Sequence, residues 1–176
     1  FSGSSTPLSL HAGRNEFCAQ LDNGSAACWG QNADGQFGLG NTTSQTSPIA
    51  LTLPTGRTVA SMSLAKDFIC MTLDNGSVVC AGKNTEFQIG QGTTSTAELS
   101  WKYVVGLDMV AHTVDLGQDV GCAHLVNGSM VCWGEDVWGF FGNSASSYTW
   151  RSATTASEYV DFGDVRTAAS ISVNYR

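Results

Sequence analysis

The chain comprises 176 residues with 8 lysines and arginines against 15 aspartates and glutamates, a formal net charge of −7, and only 13% charged residues in all. That length suits one domain with a sizeable core, and an acidic chain without a basic cluster repels a phosphate backbone, so nucleic acid is not expected as a partner. The longest apolar runs, such as Tyr103 to Val105 and Met109 to Ala111, fall far short of the roughly 20 residues a membrane-spanning helix needs.

Phe1 to Pro7 is a small polar leader, and a chain that opens on Phe1 reads as a processed product or as a piece of a longer polypeptide. Leu8 to Ala12 begins the first predicted strand. It runs into CAQLDNGSAAC, Cys18 to Cys28, which returns as CMTLDNGSVVC at Cys70 to Cys80 and as CAHLVNGSMVC at Cys122 to Cys132, a period of 52 residues. A period of that size is the signature of a propeller or a similar array. Asp22 and Asn23 suit the corners of a type I turn and Gly24 the left-handed position that closes it, so the unit is a β-hairpin. Pairing Leu21 with Ser25 and counting outwards sets Cys18 opposite Cys28 in a non-hydrogen-bonded pair, where Cα atoms lie about 4.5 Å apart. A disulfide can span that distance. The expected bonds are Cys18–Cys28, Cys70–Cys80 and Cys122–Cys132, which favour an oxidising, extracellular or cell-surface setting. The alternative is six buried thiols. Nine residues between paired cysteines do not fit zinc spacing, so no metal or other cofactor is expected.

After Cys28 comes WGQNADGQFGLGN, whose Gly30, Gly35, Gly38 and Gly40 permit tight turns. It lacks a Walker lysine and a following helix, so it is a linker and not a phosphate cradle. Ser47 to Leu53 reads as a fourth strand, and Pro54 to Gly56 turns the chain into the second copy. The later copies repeat strand, hairpin and glycine loop. The prediction is therefore one all-β domain, 1–176, of three four-stranded repeats (about 8–56, 57–108 and 109–164), with the first strand of a fourth at 165–176. Cys28-Trp29-Gly30, Cys132-Trp133-Gly134 and Gly35-Gln36-Phe37-Gly38-Leu39-Gly40 resemble the regulator of chromosome condensation repeat. Ala81 replaces the tryptophan in copy two, and Gln88-Ile89-Gly90-Gln91-Gly92 and Phe141-Gly142 are partial matches. The resemblance implies β-propeller blades. Members commonly have about seven, so three copies and the start of another imply a partial or composite propeller, since three blades cannot close a ring. The family includes a nuclear exchange factor for a small GTPase, secreted inhibitors of bacterial β-lactamases and many surface proteins, so the resemblance implies a fold and no single function.

No catalytic constellation is legible. His11, His112 and His124 stand at unrelated repeat positions, and His124, opposite Met130, reads as a structural cross-strand residue. Asp67 and Asp119 share a repeat position with Asn15, which indicates turn chemistry. Trp29 and Trp133 recur with the repeat and so should pack between blades, whereas Trp101, Trp138 and Trp150 are assigned to copy three. There DVWGFFGNSASSYTWRS concentrates Trp138, Phe140, Phe141, Tyr148 and Trp150, which either pack between blades or form a binding surface. Acceptor sequons for N-linked glycans stand at Asn23, Asn41, Asn75 and Asn127, all in predicted loops or hairpin tips. Arg166 to Tyr175 matches Arg57 to Leu64; its Ala169, Ile171, Val173 and Tyr175 alternate with polar residues, as in a half-buried strand that would complete a blade with a second chain. These features predict a non-catalytic extracellular structural or adhesive component of a larger assembly. Its partners would be other protein chains, copies of itself or neighbouring propeller segments, with glycans as a further ligand class. A secreted protein- or glycan-binding or inhibitory module is the second reading, and a fragment of a larger secreted enzyme the third.

Overall fold

A computed structural model of the chain describes residues 5–107, 109–135 and 141. Among the described residues there is no helix, and the strands fall into three antiparallel sheets. Strands β1 (Pro7–Ala12), β2 (Glu16–Leu21), β3 (Ala26–Gly30) and β4 (Gln45–Ala50) form the first in that order. Strands β5 (Val59–Leu64), β6 (Phe68–Leu73), β7 (Val78–Asn84) and β8 (Ser95–Tyr103) form the second. In the third, β9 (Ala111–Leu116), β10 (Val120–Leu125) and β11 (Met130–Gly134) repeat the first three positions. Each sheet is one blade.

The hairpin chemistry works as the local sequence dictates. The Leu21 amide donates to the Ser25 carbonyl (2.9 Å) and the Gly24 amide to the Leu21 carbonyl (3.0 Å), with Gly24 at φ 76°. Leu73 with Ser77 and Leu125 with Ser129 make the same bond at 2.8 Å. This fixes the register, so Cys18 faces Cys28, Cys70 faces Cys80 and Cys122 faces Cys132. Each of these pairs is disulfide-bonded, with Cα atoms 4.1 Å apart.

Strands display alternate residues on opposite faces, so each blade has a forward face towards the next blade and a rear face towards the one before. The forward face of blade one (Cys18, Ala26, Cys28, Phe37) packs on the rear face of blade two (Met62, Ile69, Met71, Val79). Likewise Phe68, Cys70, Cys80 and Ile89 of blade two pack on Val114, Leu116, Ala123 and Trp133 of blade three. Val120, Cys122, Cys132 and Phe141 form the forward face of blade three. Thus every disulfide is a forward-face group, and Phe37, Ile89 and Phe141 occupy one repeat position beside it.

Three expectations are corrected. Strand β4 starts at Gln45 and ends at Ala50, not at Ser47 and Leu53. Trp101 belongs to β8 of blade two and not to copy three; its ring lies against the glycine loop of blade one, where a Cβ on Gly38 would collide with it. The 52-residue period already places this tryptophan in blade two, since Trp101 corresponds to Ile49 of β4. Trp133 does pack between blades, fully buried and donating its Nε1 to the Gln88 carbonyl at 2.8 Å. Trp29 instead stacks on Phe17 with centroids 5.7 Å apart, on the rear face of blade one.

Candidate functional site

Three places bring functional groups together. The first is axial. Strands β1, β5 and β9 converge, and the turns after them surround a cavity of about 310 Å³ lined by Ala12, Gly13, Arg14, Leu64, Lys66 and Gly117. Along these strands His11, Ser63 and Asp115 share a repeat position. The Ser63 hydroxyl donates to Asp115 Oδ1 at 3.1 Å and accepts the Leu116 amide at 3.1 Å, while His11 Nε2 bonds the Ser9 hydroxyl at 2.8 Å. In a nucleophilic relay the histidine must bridge hydroxyl and carboxylate. Here the serine bonds the carboxylate directly, so these bonds tie blades together and do not assemble that relay. Burial lowers the His11 pKa, which favours its neutral form.

The second place is the polar ring of the inter-blade loops. Asn32 and Asn84, both buried, each hold a glycine loop: Asn32 Nδ2 donates to the Asn41 and Thr43 carbonyls and its Oδ1 accepts the Phe37 amide at 2.9 Å. Asn84 repeats this with Thr93 and Ile89. Between blades two and three, Asp119 Oδ1 accepts from Gln88 Nε2 (2.9 Å) and Lys83 Nζ (3.2 Å). The turn reading of Asp119 is therefore incomplete, since its carboxylate joins two blades. Phe87 takes φ 61°, where blade one has Gly35 at φ 72°.

The third place is the rear face of blade one. Leu8 is 65% exposed, Leu10 63% and Phe17 42%, whereas Met62 and Ile69, the blade-two counterparts of Leu10 and Phe17, are 4% and 0% exposed beneath blade one. Cross-strand pairing sets Phe17 opposite Trp29, Ile69 opposite Ala81 and Gly121 opposite Trp133. In blades two and three a large residue meets a small one, and a Cβ on Gly121 would come within 2.7 Å of the Trp133 ring. Blade one carries two large aromatics there. A shallower groove of about 510 Å³ runs between the hairpin tips of blades two and three, past Asn75, Tyr103, Met109, Val110 and Val126.

Residues 23–71 match the family model of the regulator of chromosome condensation (RCC1) repeat. Over that span the chain is similar to an RCC1 repeat. The matched span runs from the first hairpin tip into β6, so an RCC1 repeat unit is out of phase with a blade and crosses the junction between two. The chain is similar in structure to Prp20p from Saccharomyces cerevisiae, with a TM-score of 0.73 and 17% identity over 85% of this chain and 37% of that one. Human WBSCR16 gives 0.71 and 20% identity over 76% of this chain and 34% of that one. The ectodomain of the Arabidopsis thaliana receptor kinase ACR4 gives 0.52 and 18% identity over 76% of this chain and 40% of that one. The chain thus spans well under half the length of these propellers, and at such identities the likeness establishes the fold.

Of the residues singled out by sequence, Cys18, Cys28, Cys70 and Cys80 sit between described blades, Cys122 and Cys132 are buried on the forward face of blade three, and Asn23, Asn41, Asn75 and Asn127 are exposed. Phe141 is fully buried against Val120, Cys122 and Cys132, so it takes the packing alternative and not the binding one. Trp138, Phe140, Tyr148, Trp150, Ala169, Ile171, Val173 and Tyr175 lie outside the described residues. Sequence reasoning missed Leu8, Leu10 and Phe17. Comparing repeat positions gives a partial signal, because Leu10 aligns with Met62 and Val114, which are apolar core.

Proposed function

We propose that this RCC1-type segment works by protein–protein contact as a non-catalytic structural or adhesive part of an extracellular assembly, with the rear face of blade one as its contact surface. One observation carries the reading: Leu10 and Phe17 are exposed at positions whose counterparts in blade two, Met62 and Ile69, are covered by a neighbouring blade. The partner is another copy of the chain, which would cover Leu10 and Phe17 as blade one covers Met62 and Ile69. A head-to-tail contact of this type extends an array or closes a ring. Repeats at 8–56, 57–108 and 109–164 act as its units, with Ala169, Ile171, Val173 and Tyr175 in the strand that continues it. Three disulfides support an oxidising setting. The propeller neighbour Prp20p has binding properties towards Gsp1p and histones, which supports contact rather than catalysis as the use of the fold. Hydroxyl-radical footprinting tests this: Leu10, Phe17 and Trp29 are oxidised in dilute protein and protected as concentration rises. Equal oxidation at every concentration would remove the proposal.

A second reading, a soluble module that binds a protein or glycan, is favoured by the groove beside Asn75, where Tyr103 and Val126 expose apolar surface. It predicts that the same footprint leaves blade one open and protects Tyr103 once a ligand is added.

A further inference from the structure

The two blade junctions differ at one repeat position. Phe68 and Val120 are apolar forward-face residues, and blade one has Glu16 there, only 1% exposed. Glu16 Oε2 accepts the Asn15 amide at 3.0 Å, but Oε1 is buried without a hydrogen-bond partner. The carboxyl group fills the space a side chain on Gly13 would need, and across that space lies the Ala65 carbonyl of blade two, 2.8 Å from where such a Cβ would stand. A buried carboxylate oxygen without a partner is unsolvated, whereas a carboxylic acid O–H can turn towards the Ala65 carbonyl across that space.

The surrounding charges do not reverse this. Arg14 flanks Glu16 on its own turn, Asp34 approaches from the glycine loop, and Lys66, Asp67 and Lys83 from blade two. Lys66 is paired with Asp67 at 3.4 Å and Lys83 with Asp119 at 3.2 Å. Between blades two and three, Lys83 and Gln88 both serve Asp119; at the corresponding place between blades one and two stands Gln31, and Gln36 Nε2 is buried and unpartnered. The first junction therefore has an added carboxyl group and one fewer fixed cation. Burial is the main force raising the Glu16 pKa, to about 7; the Asn15 and Arg14 amides oppose it and the charges of Asp67 and Asp34 add to it.

We propose that Glu16 is a proton-operated clasp between blades one and two: protonated, it donates across the junction to the Ala65 carbonyl and holds the blades together, and ionised, it loosens them. The folded chain keeps this proton to higher pH than the unfolded chain, whose glutamates titrate near 4.3. The stabilisation is complete below that value and is lost as pH rises to about 7.

Thermal unfolding of the whole chain from pH 4 to 8.5, wild type against Glu16→Gln, tests the clasp. The amide keeps the shape and a donor but does not titrate, and His11, Asp34 and Glu135 are common to both proteins. The expected result is that the wild-type midpoint falls relative to the variant by several degrees between pH 4.5 and 7.5, then runs parallel to it. A difference that is constant over this range overturns the proposal. A second readout needs no variant: the Glu16 carboxyl carbon, followed by NMR, should titrate near neutrality, and a midpoint between 4 and 5 also overturns it.

Discussion

Asn23, Asn75 and Asn127 show how one residue type can serve both turn and modification. The side-chain oxygen of each accepts the amide of the serine two residues on, at 3.0, 3.1 and 3.0 Å, which stabilises the hairpin tip. The amide nitrogen is the atom an N-linked glycan would use, and each side chain is at an exposed tip. We predict that protein secreted from eukaryotic cells carries glycans at these three positions, with Asn41 as a fourth acceptor. Intact mass before and after glycosidase treatment checks it, and an unchanged mass would remove one support of the secretory reading. Turn chemistry was fully legible in the sequence, because Asp-Asn-Gly-Ser acts on its immediate neighbours. The isolation of Glu16 Oε1 was not, since it depends on Gly13 and on Ala65 from another blade.

At the level of the element, each hairpin is held by its turn, its ladder and one disulfide on the forward face of its blade. Cys70 and Cys80 are fully buried between blades two and three. Replacing both with alanine should cost about 2 to 3 kcal/mol, as closure of a short loop implies. Loss of buried sulfur contacts adds to this. Denaturant unfolding measures the difference; a change below about 1 kcal/mol would show that the bond contributes little beyond packing. The register of these pairs followed from counting outwards from the turn, because a ladder alternates strictly from a fixed end. Strand ends were less legible. Strand β8 outgrows β4, and β4 itself starts and ends earlier than the sequence suggests. The large-with-small pairing of Gly121 with Trp133 and of Ile69 with Ala81 can be read only once the register is known. It shows that the space between blades admits one bulky residue at this level.

For the whole molecule, the repeat dictated blade architecture, and blade packing decides which surfaces remain open. Leu10 and Phe17 look like ordinary strand residues in sequence, and their exposure follows from their position in the array, which no local pattern encodes. The central claim is that this open face makes the contacts of an assembly. Its most direct test is the molar mass by light scattering over a range of concentrations, for the wild-type chain and for a Leu10→Glu, Phe17→Glu double variant. Neither residue lies in the buried layers between blades, so the variant keeps its fold, which its unfolding midpoint verifies. The account predicts wild-type mass rising to a multiple of the 18.5 kDa chain while the folded variant stays at the single-chain value. Equal single-chain masses for both proteins at all concentrations would contradict it.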